Sequence, residues 1–403
     1  MAKPLSALKV TDHVYWVGAI DWALQDFHGY LTSRGTTYNA YLVMAEKITL
    51  IDTVKAPFKD EMLSRIASIA DPSRISYIVS NHSEMDHSGC LPDVIRVVKP
   101  EKVFASVIGA KTLKEHFHTD DEITAVKDGE TLSLGNMTLR FFETKMLHWP
   151  DSMFTYLPDE SVLFSQDGFG MHLASSERFD DEVSDEILLY EAAKYYANIL
   201  LPFSPIAAKT LHKFLQLNLS VDIIAPDHGP IWRKGVKRII DLYLKWSARA
   251  ASTKAVIVYD TMWQSTAKMA MAVAEGVTAG GAQAKVMPLS ARHRSDIALE
   301  MLDASALVVG SPTINNTIFP TVADVLFYLR GLKPHNLIGA AFGSYGWSGE
   351  AVGIIESMLR DMKVELVQEG VRARHVPTDE DLTPCVSLGR NIAEKLRASM
   401  KSS

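Results

Sequence analysis

Residues 81–89 read Asn-His-Ser-Glu-Met-Asp-His-Ser-Gly, so His82, Glu84, Asp86 and His87 place four potential metal ligands within six residues. They follow the apolar run Tyr77–Ser80, where a strand would end and a polar loop begin. Positions 82, 84 and 86 alternate, so an extended backbone would turn all three side chains to one face, with His87 joining where the chain bends. One segment could then feed two neighbouring ions. Carboxylates buried this close together repel unless cations neutralise them. Further candidates are His148 in Met-Leu-His-Trp-Pro-Asp, Asp167 in Phe-Ser-Gln-Asp-Gly and His228 in Ala-Pro-Asp-His-Gly-Pro. Each follows a strand-like run and precedes a turn, where α/β scaffolds display functional groups. Taken singly they read as surface histidines or a capping aspartate; added to the cluster they complete a set of four imidazoles and three carboxylates. Imidazole serves zinc and iron alike, but three carboxylates without a thiolate favour a pair of hard ions, which makes iron the better choice. A carboxylate such as Asp167 can bridge two ions.

A second constellation lies near residue 260. Thr261, Met262, Trp263, Gln264, Ser265 and Thr266 form a loop that opens into a helix. Hydroxyls at 261, 265 and 266, together with the free N–H groups of a helix N-terminus, could hold a phosphomonoester without Arg or Lys. Two later loops bear on the same ligand: Pro312, Thr313, Ile314, Asn315 and Asn316, then Ser344, Tyr345, Gly346, Trp347, Ser348 and Gly349. Glycine lets backbone approach a planar ring and Tyr345 or Trp347 can stack on it. No GxGxxG run appears, which argues against a dinucleotide.

The elements that must position these groups change character along the chain. Up to about residue 250, short strand-like runs (48–51, 77–79, 103–104, 137–142, 161–164) alternate with turns and few helices, the clearest helices being 184–201 and 234–249. From 251 a strand–loop–helix rhythm takes over, with strands at 255–259, 284–288, 306–310 and 337–342 and helices at 268–278, 297–302, 323–332, 351–361 and 389–400. That rhythm predicts a doubly wound parallel sheet whose ligands sit at the C-terminal strand ends. The expected domains are therefore 1–250 and 251–403, in keeping with a length of 403 residues that exceeds one ordinary core.

Bulk properties exclude several classes. A net charge of −7 and no basic stripe argue against nucleic acid. No apolar run reaches the length of a membrane helix or signal segment, so a cytoplasmic location with no membrane contact is expected. Cys90 and Cys385 are the only cysteines, and they read as free thiols.

The spacing at 82–87 resembles the metallo-β-lactamase superfamily, whose usual signature is His-x-His-x-Asp-His followed by later His, Asp and His ligands. Glu84 stands where that signature has its second His. This replacement, joined to a flavin-type second half, resembles the flavodiiron proteins (A-type flavoproteins) over essentially the whole chain. The resemblance implies a metallo-β-lactamase-like αβ/βα sandwich followed by a flavodoxin-like sheet. It implies one iron held by His82, Glu84 and His148, another by Asp86, His87 and His228, with Asp167 bridging, and it leaves His87 open because some members do not coordinate there. It also implies FMN on the three loops, although Gln264 replaces the usual flavodoxin glycine. His28, in Asp-Phe-His-Gly-Tyr, resembles the family's loop beside the irons, and His172 and Tyr195 are expected behind the ligands. The implied activity is reduction of dioxygen or nitric oxide, with a separate rubredoxin-like donor and a head-to-tail homodimer or dimer of dimers.

Overall fold

The computed structural model describes residues 5–402, so the first four residues and the last of the expected spans 1–250 and 251–403 lie outside the described residues. Contacts divide the chain into two compact units. One runs to Tyr195 and resumes over Phe203–Leu244; the other takes Tyr196–Pro202 and the chain from Lys245 onward.

In the first unit, strands Leu8–Lys9, Val14–Trp16, Tyr41–Val43 and Thr49–Ile51 pair antiparallel, and Tyr77–Ser80, Lys102–Ser106 and Ile123–Val126 extend the same sheet in parallel. A second sheet holds Thr131–Ser133, Thr138–Glu143, Met153–Leu157 and Val162–Gln166 antiparallel, with Ile223–Pro226 parallel to the last. Successive strand residues point to opposite faces. Tyr41, Val43, Ile51 and Val79 therefore meet Phe141, Met153 and Phe164 between the sheets. Leu42, Leu50 and Ile78 turn the other way, onto Met62, Ile66, Val94 and Leu113 of three helices. Across the second sheet, Phe142 and Phe154 meet the Phe214 ring edge-on, and Phe169 contacts both Phe154 and Tyr243. The layers run helix, sheet, sheet, helix, as the expected αβ/βα sandwich requires.

Helices Lys59–Ala67, Leu91–Val98, Val107–Phe117 and Ser204–Gln216 were not expected. Lys59–Ala67 buries only Met62 and Ile66, too weak a period to register, whereas Leu91–Val98 buries Leu91, Val94 and Val98 at helical spacing but is only eight residues long. The helix expected over 184–201 is α-helical at Asp185–Tyr195 and then widens into a π turn at Tyr196–Leu200.

The second unit is a parallel sheet in the order Gln283–Pro288, Lys254–Tyr259, Ala306–Gly310, Ile338–Tyr345, the last pairing with both Glu365–Leu366 and Val371–Arg374. The strands at 365–374 were not expected, and the last helix begins at Asp379 rather than 389, running through Pro384. That helix crosses Ser265–Ala279 at Gly276 and Gly389, where a Cβ on Gly389 would stand 2.1 Å from the carbonyl oxygen of Val273. Both cysteines are free and buried. Among the described residues no helix is long and apolar enough to cross a membrane.

Candidate metal centre and ligand cavity

Strand Tyr77–Ser80 delivers the ligand-rich segment, and its exit is pinned by Asp52, whose carboxylate accepts from Asn81 N at 2.6 Å and Asn81 Nδ2 at 2.7 Å. The expectation that 82, 84 and 86 share one extended face is corrected here. Only His82 and Glu84 lie on non-helical backbone; Asp86 and His87 sit on the short helix Met85–Ser88. The reason is that Glu84 becomes the helix N-cap, with φ −61° and ψ 145°, so the chain turns before Asp86. His148 comes from the turn before Met153–Leu157, while Asp167 and His228 follow Val162–Gln166 and Ile223–Pro226.

All seven side chains converge into two groups, His82, Glu84, His148 and Asp167 in one and Asp86, His87 and His228 in the other, with ligand atoms within 4.8 Å of one another in each. Asp167 joins them. Its Oδ2 lies 2.7 Å from His148 Nε2 and 3.4 Å from His82 Nε2; its Oδ1 lies 3.1 Å from His87 Nε2 and 3.4 Å from His228 Nε2. Glu84 Oε2 is 3.3 Å from both His82 and His148, and Asp86 Oδ2 is 3.2 Å from His228. Despite this proximity, Asp86 Oδ1 and Oδ2, His87 Nε2 and Asp167 Oδ1 are buried without a hydrogen-bond partner. Buried polar atoms are almost always paired. Lone pairs that approach without hydrogen-bond geometry point at common centres, which is the arrangement a metal pair needs.

The electrostatics agree. Burial opposes charge on His82, yet bonds to Asp151 and Glu84 outweigh it and raise its pKa well above the ordinary value. His87 is raised likewise, burial being overcome by Asp86, Asp167 and Asp227. Asp167 is held well below the usual carboxylate range, burial being overridden by His87 and His148. The carboxylates thus hold positive charge on the imidazoles around them, a role that bound cations could take over from protons.

Several residues behind the ligands escaped the sequence reading. Asp151 Oδ2 stands 3.4 Å from His82 Nδ1 and is itself fixed by Ser83 N and Oγ; Asp227 Oδ2 stands 3.4 Å from His87 Nδ1; the Thr37 carbonyl accepts from His228 Nδ1 at 2.6 Å. Each leaves Nε2 facing the centre. Their only sequence signal was an Asp close to a His, as in Pro226-Asp227-His228.

A cavity of about 630 Å³ opens onto Glu84 and Asp86, walled by Leu24, Phe27, Pro57, Met85 and Trp149. His28, on the turn between strands Asp26–Phe27 and Tyr30–Leu31, lines it with Nε2 at 3.2 Å from Glu84 Oε1. That bond, against a smaller cost of burial, raises its pKa. The His172 ring lies 4.7 Å from that of His228 and 5.1 Å from that of Tyr195. Burial, aided by His228, holds His172 well below the ordinary imidazole range, and burial keeps the Tyr195 hydroxyl protonated.

In the second unit a cavity of about 420 Å³ brings together Met262, Trp263, Ser265, Pro312, Thr313, Ser344, Tyr345, Gly346 and Trp347, joined by His375 and Val376, which the sequence reading missed along with the strand that precedes them. Thr261 Oγ1 is buried with no partner, at the mouth of a helix whose N-cap residue, Gln264, makes no side-chain cap. Both features suit a phosphate. Gln264 has φ 67°, so the position where flavodoxins carry glycine does require left-handed backbone. Thr266 is not on the wall; its Oγ1 pairs with Ser344 Oγ at 2.8 Å. Ile314, Asn315 and Asn316 form a turn behind Thr313, and Ser348 and Gly349 sit behind Trp347, outside the lining.

Comparison with known proteins follows the same division. Residues 36–229 match the ODP family beta lactamase model and residues 257–389 the flavodoxin model. The nitric oxide reductase of Moorella thermoacetica is 48% identical over 98% of this chain and 100% of its own. The structure of rubredoxin oxygen:oxidoreductase from Desulfovibrio gigas superposes with TM-score 0.96 at 45% identity, covering 98% of this chain and 100% of that one. The flavodiiron protein of Giardia intestinalis gives 0.94 at 34%, covering 100% and 99%. With a two-centre carboxylate and imidazole cage in one unit, a phosphate-ready cavity in the other and relatives matched end to end, the chain belongs to the flavodiiron protein family.

Proposed function

We propose that this chain reduces dioxygen to water, nitric oxide to nitrous oxide, or both, at a non-haem diiron site in residues 1–250, with electrons relayed through FMN held in residues 251–403. The observation that carries the reading is Asp167, whose two oxygens face two different pairs of imidazoles. His82, Glu84 and His148 would hold one iron, Asp86, His87 and His228 the other, with Asp167 between them. His87 is included because its Nε2 is buried without a partner, 3.1 Å from Asp167 Oδ1 and 3.4 Å from Asp86 Oδ1. Ser265 on the cavity wall, the helix N-terminus and the unpartnered Thr261 hydroxyl, which lies outside the lining, would hold the FMN phosphate, and Tyr345 and Trp347 its ring.

When bound, the iron pair supplies open coordination positions and electrons for the gas, and FMN supplies the further electrons. The chain does the rest. Leu24, Phe27, Pro57 and Trp149 give the cavity apolar walls that admit a small neutral gas. Dioxygen reduced to water takes up four protons, and His28, exposed on one side and bonded to Glu84 on the other, passes them inward through Nε2. Neutral His172 and protonated Tyr195 flank His228 without adding charge.

A rubredoxin-type protein is the proposed donor, supported by the name of the Desulfovibrio gigas relative. The proposed assembly is a head-to-tail homodimer or dimer of dimers, in which one chain's flavin cavity meets its partner's metal cavity. Exposed Trp263 and Trp347 at the first, and exposed Met85 at the second, support this. The test is metal and flavin analysis followed by oxygen and nitric oxide consumption, measured side by side with reduced rubredoxin as donor. Two irons and one FMN per chain with gas uptake are expected; zinc in place of iron, or no uptake of either gas, overturns the reading.

A further inference from the structure

Asn39 lies between strands Thr36–Tyr38 and Tyr41–Val43, fully buried and uncharged, and it bonds to both ends of the loop that holds His228. Its Nδ2 donates to the Pro226 carbonyl at 2.7 Å and to the Gly229 carbonyl at 2.9 Å, and its backbone N–H donates to the Asp227 carbonyl at 2.7 Å. Its Oδ1 accepts from Trp16 Nε1 at 2.8 Å. These partners fix the amide orientation. Turned over, Oδ1 would face two carbonyl oxygens and the NH₂ group would face the indole N–H. Trp16 is held in turn, with the guanidinium carbons of Arg65 and Arg178 each 4.7 Å from its ring.

The loop leaves little room for adjustment. Tyr41 Oη donates to the Pro226 carbonyl at 2.7 Å and Gly229 N donates to Thr37 Oγ1 at 2.7 Å. Gly229 has φ 75°, and a Cβ there would stand 2.6 Å from Met171 Cγ. The Pro226–Gly229 loop is thus clamped at both ends by one amide, with His228 inside the clamp. None of these bonds touches His82, Glu84 or His148.

We propose that Asn39 is a positioning residue for His228: by holding both ends of its loop, it sets where Nε2 stands relative to Asp86 and Asp167. The inference rests on His228 being an iron ligand and deepens that reading. Because no titrating group takes part, the effect is geometric. It also falls first on one iron of the pair, since the bonds Asn39 makes end on the loop of His228, while Asp167 is held separately by Gln166 Oε1, which accepts from Asp167 N at 2.7 Å.

Asn39→Asp keeps the shape of the side chain but aims a carboxylate oxygen at two carbonyl oxygens. Wild type and variant, full length and loaded with iron and FMN, are compared for iron per chain, for iron release to a ferrous chelator and for Mössbauer spectra. Wild type retains two irons. The variant releases one of them about 10-fold faster or more, as loss of a partner behind a metal ligand generally does. Only one of its two Mössbauer doublets changes, while its FMN content holds. Trp16→Phe leaves an aromatic ring beside both guanidiniums and removes the N–H that orients the amide, together with part of the buried indole; it shows the same one-iron selectivity more weakly, and it carries the test if Asn39→Asp fails to fold. Release of both irons at the wild-type rate, or equal acceleration of both, overturns the proposal. A wild-type chain that binds no iron overturns the metal reading beneath it.

Discussion

Glu84 is the residue that separates this centre from the general superfamily signature. It brings a third carboxylate to the pair, with Oε2 shared between His82 and His148 and Oε1 reached by His28. Replacing it by the imidazole of the general signature removes one negative charge and softens the donor set. Glu84→His is therefore expected to cut iron affinity at that position by about 10-fold or more and to let zinc compete, read by metal analysis after loading with equal amounts of both. The seven candidate ligands were visible in the sequence because their types are rare inside a fold and four of them fall within six positions. Asp151, Thr37 and Asn39 were not, since ordinary polar residues acquire their roles from partners far along the chain: Thr37 and His228 are 191 positions apart. Cys385 offers a separate check by pH. Burial pushes its thiol from 9.0 up to about 11. A raised folded pKa means that the unfolded chain ionises first, so this contribution to stability is complete below pH 9.0 and lost as pH rises towards about 11. The folded chain should accordingly resist thiol reagents at pH 8, with both cysteines reacting only after denaturation; rapid labelling of the native protein would contradict this.

At the scale of elements, the crossing of Ser265–Ala279 with Asp379–Ser402 depends on two glycines having no side chain. A methyl group at Gly389 would stand 2.1 Å from the Val273 carbonyl oxygen and 2.8 Å from the Gly276 Cα. Both obstacles are backbone, so the helices must separate. Gly389→Ala should cost about 2 kcal/mol, as overpacking does, and lower FMN retention because the first of these helices presents the phosphate site; denaturant titration checks it. Gln264 works in the opposite sense. Held at φ 67°, it bears a strain that glycine would not. Gln264→Gly is expected to stabilise the second unit by about 1 kcal/mol without loss of FMN. The long apolar strands were legible because every residue in runs such as Ala306–Gly310 is buried. The shorter elements were missed although they carry a period: Ser204–Gln216 buries Ser204, Ala207, Leu211 and Phe214 at helical spacing, and Val371–Arg374 alternates buried and exposed residues, but over only four positions; His375 and Val376, just after that strand, were missed with it.

Over the whole molecule, the change of rhythm near residue 250 was plain to read, but the excursion of Tyr196–Pro202 into the second unit was not. Within that unit Asn198 donates to the Ser295 carbonyl at 3.1 Å and accepts from Tyr328 Oη at 2.7 Å. A seven-residue stretch carries too little pattern to declare which core it joins. The proposed assembly belongs to this scale too. Light scattering should return an even multiple of the chain mass, and an active monomer would exclude the head-to-tail arrangement.

Trp263 and Trp347 are 87% and 86% exposed, on the wall of one cavity. Indole light absorbed there has a yellow acceptor within reach whenever the cavity is filled. Titrating flavin-free protein with FMN should therefore dim its ultraviolet emission in step with occupancy, and replacing both indoles by phenylalanine should flatten most of that response. The chain has five other tryptophans, and whatever quenching survives the double replacement would measure how far energy travels from them.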